Sequence, residues 1–483
     1  MTVAISETLP KGVASSPDTI ENAPFSPSEK AVPTGDATDE ESGPLQIASA
    51  TQELERWNQS FTTICRYLSA NYSFVLMGMT DAAVGALLPY IGDYYSVSYT
   101  VVSLVFLSPF GGYILAALTN NFLHHHFGQR GVAFLGPFSR LIGIVTLVFH
   151  PPYPALPVVL ILLGYGNGIE DSGWNAWIGN MQRANELLGF LHGSYGAGAT
   201  IAPLIATAMV TKAGLSWWTF YYVMIGADAL ALVVQVASFW RATGREHRAR
   251  IASSGNSGTR ATTRNAMRSP ISWLIALCLL GTTGVEVSLA GWVVTFMLDV
   301  RDADPFYAGL TVTFFWLGLT VGRLVLGFVT ARIGEKLAIT VYLLAAIALQ
   351  LLYWLVPNFA AAATFITFLG FFIGPLFPAA IVTATKLLPS DYHVSAIGFA
   401  AAVGSSGASL FPFAIGAAAQ SKGVEVLQPI ALAIIVFILL VWLLLPGGLR
   451  PGGLELAKER GDKVGDDFMK AARWLKNMGK RRK

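Results

Sequence analysis

The chain has 483 residues, 53% apolar and only 13% charged, where a soluble globular protein carries about 25% charged residues. Of its 61 charges, 37 fall in residues 1–60, 241–268 and 448–483, leaving 24 for the other 359 positions. That distribution excludes a water-facing surface all round and marks an all-α polytopic membrane protein. The net charge of +3 averages an acidic first tail with a basic last one. The basic residues lie in loops beside hydrophobic spans, so nucleic acid is excluded as a partner.

Residues 1–55 are poor in apolar side chains and rich in Pro, Ser and acids, which predicts disorder, with 1–60 as a cytoplasmic tail. They contain no early apolar core of a cleavable signal peptide. Twelve apolar stretches follow, each able to cross a bilayer as a helix of about 20 residues. They are 65–89, 98–119, 131–150, 157–180, 187–210, 217–240, 271–297, 306–330, 337–356, 361–385, 395–420 and 427–446. Barrel strands would be about half as long and alternate in polarity. The expected organisation is a six-helix bundle over 61–240, a basic cytoplasmic linker over 241–270, a second bundle over 271–447 and a basic tail over 448–483. In that tail Phe468, Ala471, Ala472, Leu475 and Met478 recur opposite Lys470, Arg473, Lys476 and Lys480. An interfacial helix on anionic lipid is the membrane-bound reading, a solvated tail the other.

With both termini inside, 27 of the 32 Lys and Arg residues are cytoplasmic, as the positive-inside rule requires. The sequons at Asn58 and Asn71 then go unused. A plasma-membrane location and a monomer are expected. Cys65 and Cys278 lie in or beside apolar spans, with no disulfide framework and no metal-ligand spacing.

An internal duplication is legible. Gly189-Phe190, Gly198-Ala199 and Pro203 in span 5 recur as Gly398-Phe399, Gly407-Ala408 and Pro412 in span 11, at an offset of 209. Leu163-Gly164 and Gly168 in span 4 recur as Leu369-Gly370 and Gly374 in span 10, at an offset of 206. Parallel six-helix repeats with a site between them are the architecture of the major facilitator superfamily.

Span 8 and its loop read Gly322-Arg323-Leu-Val-Leu-Gly327-Phe-Val-Thr-Ala-Arg332-Ile-Gly334-Glu-Lys336. This resembles that superfamily's cytoplasmic loop signature and implies a gating role for Arg323 and Arg332. The first-half counterpart, from Thr119 to Arg130, is degenerate and lacks the signature's Asp. More specific are Gly78-Met-Thr-Asp81-Ala-Ala-Val-Gly85-Ala-Leu-Leu-Pro89 in span 1 and Gly166-Asn-Gly-Ile-Glu170-Asp171-Ser-Gly-Trp174-Asn175-Ala-Trp177 in span 4. Together they resemble the fucose-permease-like branch, especially its fungal orphan members, over roughly residues 62–446. The resemblance implies a proton-coupled sugar symporter with its coupling acids at Asp81 and Glu170.

The residues also stand out by cost. An ionisable side chain at mid-bilayer costs about 2.5–3.5 kcal/mol on insertion scales, so it faces a cavity or a partner. The in-span set is Asp81, Glu170, Asp171, Asp228, Glu286, Arg140 and Arg323. At about 1.5 Å per residue, Asp81 lies in the outer half of span 1 and Glu170 slightly inside the midplane of span 4. Staggered carboxyls suit a carried proton. Glu170 and Asp171 are neighbours and point about 100° apart on a helix. The face Asn167–Glu170–Trp174 offers an amide, an acceptor and an aromatic plate, and is read as substrate-binding. Asp171 is read as structural. Arg140 in span 3 and Asp228 in span 6 fall at similar depth and are expected to form a structural ion pair, with Asp171 as Arg140's alternative partner. Glu286 and Trp292 in span 7 are candidates to line the cavity from the second half. His192, with Tyr195 one turn on, is read as a packed histidine. The run His124-His125-His126 lacks partner ligands for a metal.

These readings converge on a secondary transporter of a small polar solute, a sugar or polyol, needing no cofactor beyond protons as the coupling ion. An exporter of secondary metabolites and a nutrient sensor on the same scaffold are the alternatives. No His-Glu-x-x-His, Gly-x-Ser-x-Gly or P-loop motif is present, which argues against an embedded enzyme and an ATP-driven pump.

Overall fold

The computed structural model describes residues 55–253, 259–389 and 392–461. Residues 1–54 of the first tail and the amphipathic segment 468–478 therefore lie outside the described residues. Within them the chain is helical, with no strand longer than one isolated bridge between Glu55 and Met181. Span 1 is Phe61–Tyr95, span 2 Tyr99–Phe127, span 3 Gln129–Val148, span 4 Ala155–Gly179, span 5 Ala184–Thr211 and span 6 Trp217–Phe239. Spans 7 to 12 are Pro270–Asp299, Pro305–Ile333, Glu335–Leu355, Phe359–Leu387, His393–Lys422 and Val424–Leu444. Eleven of these are long and apolar enough to cross a membrane. Span 4 is the exception because Asn167, Glu170, Asp171 and Asn175 dilute its hydropathy.

Helix ends follow local chemistry. Ser60 opens span 1 by accepting from the Thr63 amide, and Asn358 opens span 10 by accepting from that of Ala361. Asp304 caps span 8 onto Phe306 and Tyr307, with Pro305 supplying a first turn that needs no amide hydrogen. Span 10 breaks between Ile373 and Leu376, at Gly374-Pro375.

The two halves pack alike. Span 1 lies on 5, span 4 on 2 and 3, and span 6 on 3; in the second half 7 lies on 11, 10 on 8 and 9, and 12 on 9. The repeated glycines explain this correspondence. A Cβ on Gly198 would lie 1.9 Å from the Val75 carbonyl oxygen of span 1, and one on Gly407 would lie 2.1 Å from that of Leu280 in span 7. Gly164 meets the Pro109 carbonyl of span 2 in the same way at 2.2 Å, and Gly370 meets that of Phe315 in span 8 at 2.4 Å. Backbone-to-backbone contact of this kind is how apolar helices associate without a hydrophobic driving force.

The linker contains two short helices, Gly244–Ser253 and Thr259–Arg268. Its first helix docks on the loop between spans 2 and 3: the Arg130 amide donates to Ala242 and Arg248 Nη1 to the His125 carbonyl, at 3.0 and 2.5 Å. After span 12 a helix at Gly453–Arg460 folds back, with Lys386 Nζ held 2.8 Å from both Glu335 Oε1 and Glu455 Oε1. The Lys386 ammonium keeps the Glu455 carboxyl below its ordinary range.

Among the described residues the seam between the halves is closed at one end only. Towards the end where spans 1 and 7 finish, span 1 meets 7, span 2 meets 11 and span 5 meets 8. There a Cβ on Gly85 would fall 2.2 Å from the Ala290 carbonyl oxygen, one on Gly309 2.3 Å from Thr207, and one on Gly416 2.4 Å from Ser103. At the other end Gly189, Gly193 and Gly398 have nothing within 4 Å, and Phe190 is 68% exposed. Overpacking costs about 1–3 kcal/mol, so Gly85→Val should shift the closed seam towards opening about tenfold or more. With Cys65 and Cys278 replaced by serine, a cysteine at Ala290 should then react correspondingly faster with a water-soluble thiol reagent. An unchanged rate would show that the seam is not held by this contact.

Candidate functional site

The first bundle is organised around one guanidinium. Arg140, fully buried in span 3, donates from Nη1 to Glu170 Oε2 at 2.5 Å and to Asn167 Oδ1 at 3.2 Å. Its Nε donates to Asp228 Oδ1 on span 6. Gln235, two turns beyond Asp228, closes the group by donating from Nε2 to Glu170 Oε1 at 2.7 Å. Glycines make the room. A Cβ on Gly136 would fall 2.3 Å from the Glu170 Cγ, and one on Gly166 2.6 Å from the Gly136 carbonyl oxygen.

Two expectations are corrected here. Glu170 and Asn167 are 0% and 1% exposed and do not line a cavity. Both oxygens of Glu170 are engaged within the bundle, which is how a buried carboxylate offsets its desolvation. Trp174 is 0% exposed and stacks on Phe239 at 4.4 Å, so it is a core residue and not a plate for solute. Arg140 holds Glu170 and Asp228 together, and Asp171 is not its partner.

Asp81 is the open acid. It is exposed although it lies mid-helix, and two groups address its carboxylate. Asn167 Nδ2 donates to Oδ1 at 3.2 Å and the Tyr195 hydroxyl to Oδ2 at 3.1 Å. Tyr195 belongs to span 5, and its ring lies 6.2 Å from Trp316 of span 8, edge to face across the seam. Nearby, half-buried Asp171 accepts from Asn175 Nδ2 at 2.8 Å, and Asn175 Oδ1 lies 3.1 Å from His192 Nε2. His192 in turn sits 6.4 Å from the ring of Phe377 in span 10. Asp171 thus takes the partly open position expected of Glu170.

In the second half Arg323 Nη2 donates to both oxygens of Glu286 at 2.9 Å, and its Nε to the Gly374 carbonyl at 3.2 Å. Arg323 therefore points into the bundle and is not part of a surface loop; Arg332, in the last turn of span 8, is exposed. Glu286 is 6% exposed, occupied by that pair. Where the first half joins spans 3 and 6 by Arg140 and Asp228, the second joins spans 9 and 12 by Gln350 donating to Gln428 Oε1 at 2.7 Å. At this link the charge is peculiar to the first half.

Trp292 is also corrected. It is fully buried at the closed end, donating from Nε1 to the Pro412 carbonyl at 2.9 Å, with Tyr99 5.8 Å away across the seam. Tyr99 donates its hydroxyl to Asp299 Oδ2 at 2.5 Å and its amide to Gln420 Oε1 at 2.9 Å. Trp292 is a post of the closed seam.

Sequence reasoning missed Gln235 and Trp316, and named Tyr195 only as the neighbour of His192. Gln235 was findable, two turns from Asp228 on one face; Tyr195 and Trp316 look like any aromatic in an apolar span. Among the described residues no group of three His, Cys, Asp or Glu could hold a metal.

The sequence profile of the Major Facilitator Superfamily matches residues 72–412 and 303–462. Bypass of stop codon protein 6 of Saccharomyces cerevisiae is 31% identical over 386 residues, 73% of this chain and 76% of that protein. The glucose/mannose transporter GlcP of Bacillus subtilis is 21% identical, over 72% of this chain and 87% of its own. Among solved structures, the E. coli fucose:proton symporter FucP superposes with a TM-score of 0.56 at 13% identity, over 78% of this chain and 97% of the symporter. That likeness is one of fold. With two matching six-helix halves, a seam closed at one end and a family of transporters rather than enzymes, this integral multi-pass membrane protein belongs to the major facilitator superfamily.

Proposed function

We propose that the protein is a proton-coupled secondary transporter of a small polyhydroxylated solute, a hexose or polyol, working by rocking of its two halves about the seam. The observation that carries this is Asp81, a carboxylate exposed at mid-helix and held by two hydrogen-bond donors. An intramembrane acid with no compensating cation in contact needs a function. Gaining a proton there removes a charge from the cavity wall and permits the seam to pass through its closed state.

Around Asp81 the half-open groups are Tyr195, Asp171, Asn175 and His192. They combine hydroxyl, carboxylate, amide and imidazole with aromatic faces, the mixture that polyols require. The names of the glucose/mannose and fucose:proton relatives support the same class. Glu170 contributes indirectly, by fixing Arg140. The charge rule places the open end of the seam, with both termini, on the cytoplasmic side, and the plasma membrane is the proposed location. The basic tail is proposed to touch anionic lipid.

The test is radiolabelled uptake into proteoliposomes under an imposed pH gradient, with D-glucose, D-mannose, L-fucose and mannitol as probes. Accumulation that collapses with a protonophore is expected for at least one probe. Gradient-independent movement would overturn proton coupling, and movement of larger apolar compounds alone would replace the solute class with the exporter reading.

A further inference from the structure

We infer that Asn167 is a positioning residue that favours the ionised form of Asp81 by tying it to the buried guanidinium of Arg140, and so links the proton to the docking of span 4 against span 1. The inference rests on the reading of Asp81 as the proton carrier. Asn167 is 1% exposed, so solute does not reach it, and both ends of its amide are in use.

The direction of that amide is imposed. Arg140 offers only donors, so it takes the amide oxygen and leaves the amide nitrogen for Asp81. A fixed N–H donor satisfies a carboxylate and has nothing to accept from a protonated acid. Tyr195, the other group on Asp81, is different. Its hydroxyl either donates to the carboxylate or accepts from the acid, so it does not discriminate between them. The discriminating contact is therefore Asn167.

The wider surroundings do not supply a substitute. Tyr113 lies near Asp81 from span 2, Arg140 from span 3, Asp171 from span 4 and Tyr195 from span 5, while Glu170 is turned to Arg140 and Gln235. Asp228 of span 6 stands behind Arg140, and Glu286 of span 7, near Tyr195, is occupied by Arg323 of span 8. Span 1 packs chiefly on span 5, and span 4 chiefly on spans 2 and 3. The Asp81–Asn167 bond therefore joins span 1 to span 4 at the cavity, and protonation of Asp81 weakens it from a charge-assisted bond to a neutral one.

Infrared titration of the purified protein tests this without any solute. The carboxylic-acid band lost in Asp81→Asn identifies Asp81, and its midpoint is then followed in Asn167→Ala and in the near-isosteric Asn167→Asp. A hydrogen bond to a charged group is strong enough that its loss should move the midpoint alkaline by about one pH unit, a tenfold tighter hold on the proton. Asn167→Asp should move it at least as far, and Tyr195→Phe less. Melting midpoints in detergent separate a folding defect from a titration shift. An unshifted midpoint in both Asn167 variants overturns the inference, as does a parent protein in which Asp81→Asn removes no band. A shifted band in a protein whose uptake ignores pH leaves the inference standing and removes the transport reading instead.

Discussion

Asp81→Asn should abolish accumulation of solute against its gradient while leaving solute exchange across the membrane intact. Asparagine has the shape of the protonated acid and keeps a group that meets Tyr195, 3.1 Å from Asp81 Oδ2, and Asn167, 3.2 Å from Oδ1. The cavity is thus fixed in the form that passes through the closed seam, and exchange continues. What is lost is the uptake and release of a proton with each solute, so the pH gradient no longer does work on the solute. The concentration ratio should fall from that set by the gradient to unity, where each pH unit is worth about 1.36 kcal/mol, or tenfold. Counterflow measured with internal unlabelled solute should persist. A variant that still concentrates solute would falsify the role of Asp81, and one that neither exchanges nor binds would make Asp81 a solute ligand first.

Most of the architecture was legible because it depends on composition and on small residues. Spans were visible as hydropathy, and the glycine repeats at offsets of 209 and 206 mark carbonyl contacts that recur in both halves. The site was legible as a set of residues and not as an arrangement. Glu170 and Asp171 are adjacent, so sequence establishes that they face apart, but only packing decides which turns to Arg140. The first half carries Gly136 opposite Glu170, close enough to seat its Cγ, and that contact rotates Asp171 towards the open side. Arg323 was misplaced for a related reason. A motif shared with a loop signature does not say that its first arginine finds Glu286 one helix away. Trp292 was an aromatic near a polar residue, and its partner, the Pro412 carbonyl, belongs to a helix 120 residues later.

Arg140 should be the most destabilising position in the first bundle, and the three members of its cluster should not be equivalent. One cation serves two carboxyls, all at 0% exposure. Arg140→Ala leaves both acids buried without a cation, a loss of about 3–5 kcal/mol by analogy with broken buried pairs. Asp228→Asn instead leaves Arg140 and Glu170 as a balanced pair, and asparagine still offers an oxygen to Arg140 Nε. Its second oxygen has no hydrogen-bond partner to lose. The expected cost is therefore about 1 kcal/mol, that of an ordinary hydrogen bond. Glu170→Gln should fall between the two, since it gives up a 2.5 Å contact to Arg140 and disturbs the bond from Gln235. Combining Arg140→Gln with Asp228→Asn and Glu170→Gln removes every charge while keeping polar side chains that can hydrogen-bond one another, and should recover part of the stability lost by Arg140→Ala alone. Detergent melting of the four variants, followed by size-exclusion recovery, gives the order. Equal losses for Arg140→Ala and Asp228→Asn would mean that Glu170 does not share the guanidinium, and the cluster would reduce to a simple pair.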